Sequence, residues 1–260
     1  MKIKAYAKVN IFLKIVGLRG NYHLISSRFF LLRNLYDEIE FIKKDEKSDT
    51  FVLHGNFGCP LEKNTIYKAY RALYEYTGSK KLKEFFQTHL VTVKKRIPEF
   101  AGLGGGSSNG ASFILLANKV VNLGLKRETL AKISSTVGSD LPFFIYEFNS
   151  ANVAGVGEMV TKFADSAPKI VTKTPNIKCD TAKVYGEFRK NYVSQIDKNA
   201  KTAQKLSNLN TQEILNRFDA QTLNDLLLPA QNLYPQLKEH QQNGWYFSGS
   251  GSTFFKMERS

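Results

Sequence analysis

The residues best suited to chemistry lie in one short run, Ala101-Gly102-Leu103-Gly104-Gly105-Gly106-Ser107-Ser108-Asn109-Gly110. Glycines let a backbone take φ > 0 and approach a ligand closely. Before the run, Val91 and Val93 alternate in a strand predicted over residues 90–97 and ended by Pro98. After it, Ala111, Ile114, Leu115 and Val121 recur at helical spacing up to Gly124. A strand, a glycine loop and a helix start gather free N–H groups and a positive dipole end at one place, an anion site suited to phosphate. The alternative is a plain loop with helix-capping serines. Four glycines with two serines at a helix start favour phosphate. The run is not a Walker A motif, since no Gly-Lys-Ser/Thr follows, and a dinucleotide fingerprint fails because Ser107 stands where the third glycine belongs.

A phosphate loop without its own lysine needs a cation from elsewhere, and a base if an alcohol is to be phosphorylated. Asp140, in the turn Gly138-Ser139-Asp140-Leu141-Pro142, could accept an alcohol proton; bonding its own backbone is the bland alternative. Lys8 and Asn10 project from one face of the first strand and read equally as solvated surface residues. His23, after Tyr22, could contact a ligand edge or be an ordinary loop histidine. The Ser248-Gly249-Ser250-Gly251-Ser252 loop could be a second anion contact or a flexible hairpin tip.

The elements that must position these residues follow from patterning. Ile3, Ala5, Ala7, Val9, Ile11, Leu13 and Ile15 share one parity and Lys2, Lys4, Tyr6, Lys8, Asn10, Phe12 and Lys14 the other, so the chain opens on a half-buried strand. A second β region is predicted over 26–44. A helix is predicted over 63–77, started at Asn64-Thr65 and stopped at Gly78, and another over 128–136. Phe143-Phe144-Ile145-Tyr146 reads as the start of a strand, 153–160 and 170–173 as strands, 190–210 as an exposed helix or mobile connector, and 224–241 as a helix broken by Pro229 and Pro235. The mixture indicates an α+β protein with a boundary near residue 150.

Composition bounds the rest. The 260 residues are 42% hydrophobic, enough for a real core without staples. Disordered, collagen-like and coiled-coil readings fail. No signal-peptide core and no transmembrane stretch is expected. Cys59 and Cys179 form no Cys-x-x-Cys, and the four histidines show no metal spacing, so a reducing cytoplasm is the expectation. The formal charge of +14 points to an anionic partner: nucleic acid, a membrane surface or a phosphorylated small molecule. The basic clusters Lys43-Lys44, Lys80-Lys81 and Lys94-Lys95-Arg96 read as solvated faces, and no RNA- or DNA-binding signature accompanies them.

Pro98-Glu99-Phe100-Ala101-Gly102-Leu103-Gly104-Gly105-Gly106-Ser107-Ser108 resembles the phosphate loop of the GHMP kinases. Ala7-Lys8-Val9-Asn10-Ile11-Phe12-Leu13, Tyr22-His23-Leu24, Gly138-Ser139-Asp140-Leu141-Pro142-Phe143-Phe144 and Ser248-Gly249-Ser250-Gly251 are similar, in order, to segments of the 4-diphosphocytidyl-2-C-methyl-D-erythritol kinase branch. The resemblance implies a two-domain architecture, residues 1–150 and 151–260, with the active site in the cleft between domains. It implies ATP with Mg²⁺, whose protein ligand stays open, and phosphorylation of the substrate's tertiary 2-hydroxyl in non-mevalonate isoprenoid synthesis. On this resemblance Asp140 is the general base and Lys8 its charge partner, residues 98–108 hold the ATP phosphates, and Asn10, Tyr22, His23 and Tyr185 contact the substrate. Asn64-Thr65-Ile66 resembles a segment near the adenine. No nucleic-acid or membrane partner is implied. Another small-molecule GHMP kinase, of homoserine or mevalonate type, is the alternative; the Tyr22-His23 pair weighs against it. Asn21 stands where relatives often have Gly, and Gly110 replaces a commoner Ala at about 1 kcal/mol of helix propensity.

Overall fold

The computed structural model describes residues 1–165 and 168–258. The chain divides into two compact units, each assembled from non-contiguous segments. The first comprises Met1–Ala7, Arg33–Ile97 and Gly104–Glu147; the second comprises Lys8–Leu32, Pro98–Leu103 and Phe148–Ser260. Two long strands, β1 (Lys2–Arg19) and β2 (Tyr22–Lys43), pass from one unit into the other.

In the first unit β1 and β2 are followed by β3 (Leu53–Gly55), α1 (Thr65–Thr77), α2 (Lys80–Thr88), β4 (His89–Lys94), α3 (Gly105–Val120), α4 (Arg127–Ser135) and α5 (Leu141–Tyr146). β4 pairs antiparallel with the end of β2, Glu38 opposite Lys94 and Lys43 opposite His89, and parallel with β3. Helix α1 starts and stops where its residues predict. The Asn64 side chain accepts from the Ile66 N–H, and Gly78 closes the helix at φ 58°. An aromatic core of Phe41, Phe51, Tyr70, Phe86 and Phe113 fills this unit. Its ring centroids lie as close as 4.6 Å (Phe51–Tyr70) and 5.1 Å (Phe41–Phe86), the spacing offset and edge-on rings prefer. Gly110 has a packing reason that offsets its propensity cost. A Cβ there would lie 2.8 Å from Thr65 Cγ2 and 3.1 Å from Leu141 Cδ2, so the glycine lets α3 sit close against α1 and α5.

The second unit adds β5 (Ser150–Gly155), β6 (Met159–Lys162), β7 (Ile170–Lys173), α6 (Thr181–Asn191), α7 (Ile196–Asn208), α8 (Thr211–Arg217), α9 (Ala220–Leu223), α10 (Leu227–Leu233), α11 (Leu237–His240), β8 (Tyr246–Phe247) and β9 (Phe254–Met257). β5 pairs antiparallel with the start of β2, Ile25 opposite Gly155, and with β6. β9 pairs with both β7 and β8 in a separate sheet. Arg28, fully buried, is satisfied by Asn152 Oδ1 at 2.9 Å, by the Ser207 and Leu209 carbonyls, and by the Phe163 ring 3.4 Å away. Burial lowers its pKa to about 10, against the pull of Asp165. No helix of the described residues is long and apolar enough to cross a membrane.

Several expectations change. Residues 143–146 are helical, in α5, because Pro142 sits in its first turn and an apolar run buried all round suits a helix as well as a strand. Tyr22-His23-Leu24 opens β2, so His23 is a strand residue rather than a loop histidine. One expected strand over 153–160 is two, β5 and β6. Residues 190–210 hold the regular helix α7, with Ala203 and Leu206 buried, and 224–241 hold short helices. Helix α2, N-capped by Ser79, had no sequence expectation.

Candidate active site

The opening strand has two buried faces over its middle. Val9, Ile11 and Leu13 are buried as expected, but Lys8 and Asn10 are only 4% and 1% exposed, so the surface reading of both is overturned. The physical reason lies inside the second unit. The Lys8 ammonium sits 4.6 Å from the Phe29 ring centroid, and the Asn10 face is covered by the Ser248 loop. Buried polar groups must be bonded, and these are. Lys8 Nζ donates to Asn10 Oδ1 at 2.6 Å and to the Gly102 carbonyl at 3.2 Å. Asn10 Nδ2 donates to Ser27 Oγ at 3.0 Å. The Ser248 hydroxyl accepts from the Asn10 N–H at 3.3 Å and donates to the same Gly102 carbonyl at 3.0 Å.

The first half of the glycine run is thereby stitched to β1 and to the C-terminal loop. Lys8 N–H donates to the Leu103 carbonyl and Thr253 N–H to the Ala101 carbonyl. Gly102 has φ 73°, and a Cβ there would lie 2.0 Å from the Ser248 carbonyl oxygen, so only glycine fits. Asn224 Nδ2 donates to the carbonyls of Phe247 and Gly249, holding the Ser248 loop, which is therefore built rather than slack. Phe100 has φ 54° and is 51% exposed, an uncommon conformation for an aromatic residue. Pro98 and Glu99 begin the run on its exposed side.

The second half opens α3 in the first unit. Gly104, at φ 69°, is the N-cap, and no side chain caps the helix. Ser107 and Ser108 lie inside the first turn, so the capping-serine alternative is not what is found. The backbone amides of this turn carry the positive end of the dipole. Ser108 Oγ is buried with no hydrogen-bond partner among protein atoms, a group that a nucleotide phosphate or its metal would satisfy. Thr65 Oγ1 would lie 3.4 Å from a Cβ on Gly106, which puts the Asn64-Thr65 helix start beside the run.

Asp140 is the N-cap residue of α5, and its carboxylate makes no capping bond to that helix. Lys8 belongs to the second unit and Asp140 to the first.

In the second unit, His23 lies 5.0 Å from the Tyr185 ring and 6.1 Å from Phe188, centroid to centroid. Burial, with Arg189 nearby, lowers the His23 pKa, so its imidazole is neutral at pH 7. Its Nε2 is buried without a partner among protein atoms. Tyr22 is 67% exposed. His23 and Tyr185, 162 positions apart in sequence, are thus brought together.

Two residues escaped the sequence reading. Lys95, expected in a solvated cluster, has a side chain only 13% exposed and is paired with buried Asp37 at 2.5 Å. A signal was present, because Asp37 falls on the core parity of β2 with Ile39 and Phe41. Among the described residues no group of three or more His, Cys, Asp or Glu could hold a metal ion.

Residues 64–148 match the family described as "GHMP kinases N terminal domain". A protein of Sulfurimonas denitrificans named 4-diphosphocytidyl-2-C-methyl-D-erythritol kinase is 47% identical over 264 residues, covering 99% of this chain and 98% of its own length. A protein of the same name from Campylobacter jejuni subsp. doylei is 44% identical over 259 residues, covering 99% and 100%. The crystal structure of a 4-(cytidine 5'-diphospho)-2C-methyl-D-erythritol kinase superposes with a TM-score of 0.71 at 27% identity, covering 100% of this chain and 91% of that one. A mevalonate kinase structure, 15% identical with a TM-score of 0.69 and covering 100% and 91%, shares the fold. An α+β chain with this glycine run, this buried lysine and relatives this close over their full length is a kinase, and it belongs to the 4-diphosphocytidyl-2-C-methyl-D-erythritol kinase family of the GHMP kinases.

Proposed function

We propose that the chain transfers the γ-phosphoryl group of ATP to the tertiary 2-hydroxyl of 4-diphosphocytidyl-2-C-methyl-D-erythritol, as a cytoplasmic enzyme of non-mevalonate isoprenoid synthesis. The observation that carries the reading is the Lys8 ammonium, buried and hydrogen-bonded to the Gly102 carbonyl of the glycine run. It supplies the cation that a loop without a Walker lysine needs, at the loop itself. Asp140 takes the proton of the acceptor alcohol, whose oxygen then bonds to phosphorus as ADP leaves. Lys8, its charge partner, stabilises the charge that develops during transfer. The reading requires these two side chains to meet at the acceptor hydroxyl. Residues 98–108 hold the phosphates through backbone N–H groups, and the orphaned Ser108 hydroxyl fits the same ligand. Mg²⁺ would accompany the ATP phosphates and neutralise part of their charge. Asn10, Tyr22, His23 and Tyr185 face the alcohol substrate, with the neutral His23 and Tyr185 rings suited to the cytosine.

The test is a coupled ADP-release assay with the cytidine-linked methylerythritol, homoserine and mevalonate as separate acceptors. Turnover with the first alone is expected. Comparable turnover with homoserine or mevalonate would sink the substrate assignment.

A further inference from the structure

We infer that Asp37 is a positioning residue for the nucleotide site, because one buried carboxylate ties down both ends of the glycine run and the lysine beside it. The inference rests on the reading of residues 98–108 as the ATP phosphate loop.

Asp37 is fully buried on β2, and four donors converge on it. Oδ1 accepts from the N–H groups of Arg96 at 2.6 Å and Ile97 at 2.8 Å. Oδ2 accepts from Lys95 Nζ at 2.5 Å and Asn109 Nδ2 at 2.9 Å. Lys95 Nζ also donates to Asn109 Oδ1 at 3.0 Å, which closes a triangle. Arg96 and Ile97 immediately precede Pro98, and Asn109 immediately follows Ser108. Both chain ends of the run are therefore held by the same side chain.

The hold is transmitted to the glycines. A Cβ placed on Gly105 would lie 2.9 Å from Ile97 Cγ2 and 3.6 Å from Lys95 Nζ. Ile97, fixed by Asp37, thus packs against the first residue of α3, and the Lys95 ammonium borders the turn whose amides face the phosphates. A buried charged group is costly unless fully paired, and an apolar residue would fill the core as well. What an apolar residue could not do is bond two consecutive backbone amides, a lysine and an asparagine at once. Donors aimed at an anion act through preorganisation, so freeing the ends of the run weakens binding of the phosphates more than binding of the alcohol.

The test uses the full chain, with ATP affinity and alcohol-substrate affinity each measured by calorimetry, and a thermal melt. Asp37→Asn keeps the shape but removes the charge and turns a donor toward Lys95 or Asn109. ATP binding is expected to weaken about tenfold, as when one buried charge-assisted bond is lost, with alcohol binding changed less than about twofold. Asn109→Ser removes the tie on the α3 side only and is expected to weaken ATP about fivefold. Should Asp37→Asn not fold, Asn109→Ser decides. ATP weakening below about threefold, or an equal loss for both ligands, overturns the inference. A parent that binds ATP yet leaves the proposed alcohol unphosphorylated defeats the substrate assignment while leaving this inference to the affinity ratios. A parent that does not bind ATP overturns both.

Discussion

The Lys8 ammonium donates to Asn10 Oδ1 at 2.6 Å across two positions of one strand face, and both residues are buried. The pair makes Asn10 a support for the lysine's orientation. Lys8→Ala is expected to lower kcat by about 10²–10³, in the range seen when one transition-state charge contact is removed. Asn10→Ala should lower kcat by about tenfold, since the ammonium keeps its bond to the Gly102 carbonyl. Steady-state kinetics on the two variants check the order, and an Asn10 variant whose kcat falls as far as that of the Lys8 variant would contradict it.

Asp140→Asn should reduce phosphoryl transfer by about 10²–10⁴ while leaving ATP affinity unchanged. Calorimetric ATP binding beside the turnover assay separates the two quantities. Near-native turnover would remove Asp140 from the role of base.

Gly102→Ala places a methyl group 2.0 Å from the Ser248 carbonyl at φ 73°. Left-handed strain and the backbone clash together should cost more than about 2 kcal/mol of stability. Chemical denaturation gives the value, and a variant within about 0.5 kcal/mol of the parent would contradict the close approach.

Cys179 is buried, which pushes its thiol up to about 11, whereas Cys59 is exposed. A thiol reagent should titrate one cysteine in the native protein and two in denaturant. Fast modification of both in the native state would show that the Cys179 environment opens.

His23 has its pKa lowered from 6.5 by burial and by Arg189. Below pH 6.5 the unfolded chain binds this proton and the native state resists it, so the unfolded state holds more protons. Stability is therefore unaffected by His23 above pH 6.5 and falls as the pH drops from there through the folded midpoint. NMR titration should place that midpoint below 6.5, and His23→Gln should flatten this part of the curve of Tm against pH. A His23 midpoint at or above 6.5 would refute the burial effect.

Much of this was legible in the residues, and the failures have physical causes. Asn64 and Gly78 bounded α1 because caps act through local backbone bonds that sequence carries openly. The glycine run declared a helix start for the same reason. The Phe143-Phe144-Ile145-Tyr146 helix was illegible because burial on every side erases the periodicity that separates helix from strand. Lys8 and Asn10 looked like surface residues because alternation describes a strand with one open face, and theirs is covered by a loop some 240 residues later. Lys95 looked solvated because its partner, Asp37, is 58 positions away. Local chemistry was readable; the polar partners supplied by distant segments were not.

The bond from the Asn10 amide to the Ser248 hydroxyl spans 238 positions. During synthesis at about 5–20 residues per second, the strand bearing Lys8 leaves the ribosome on the order of 10–50 s before its covering loop exists. Until then the Asn10 amide lacks the hydroxyl that the finished protein supplies. A chain arrested anywhere short of Ser248 leaves the Asn10 amide without this partner.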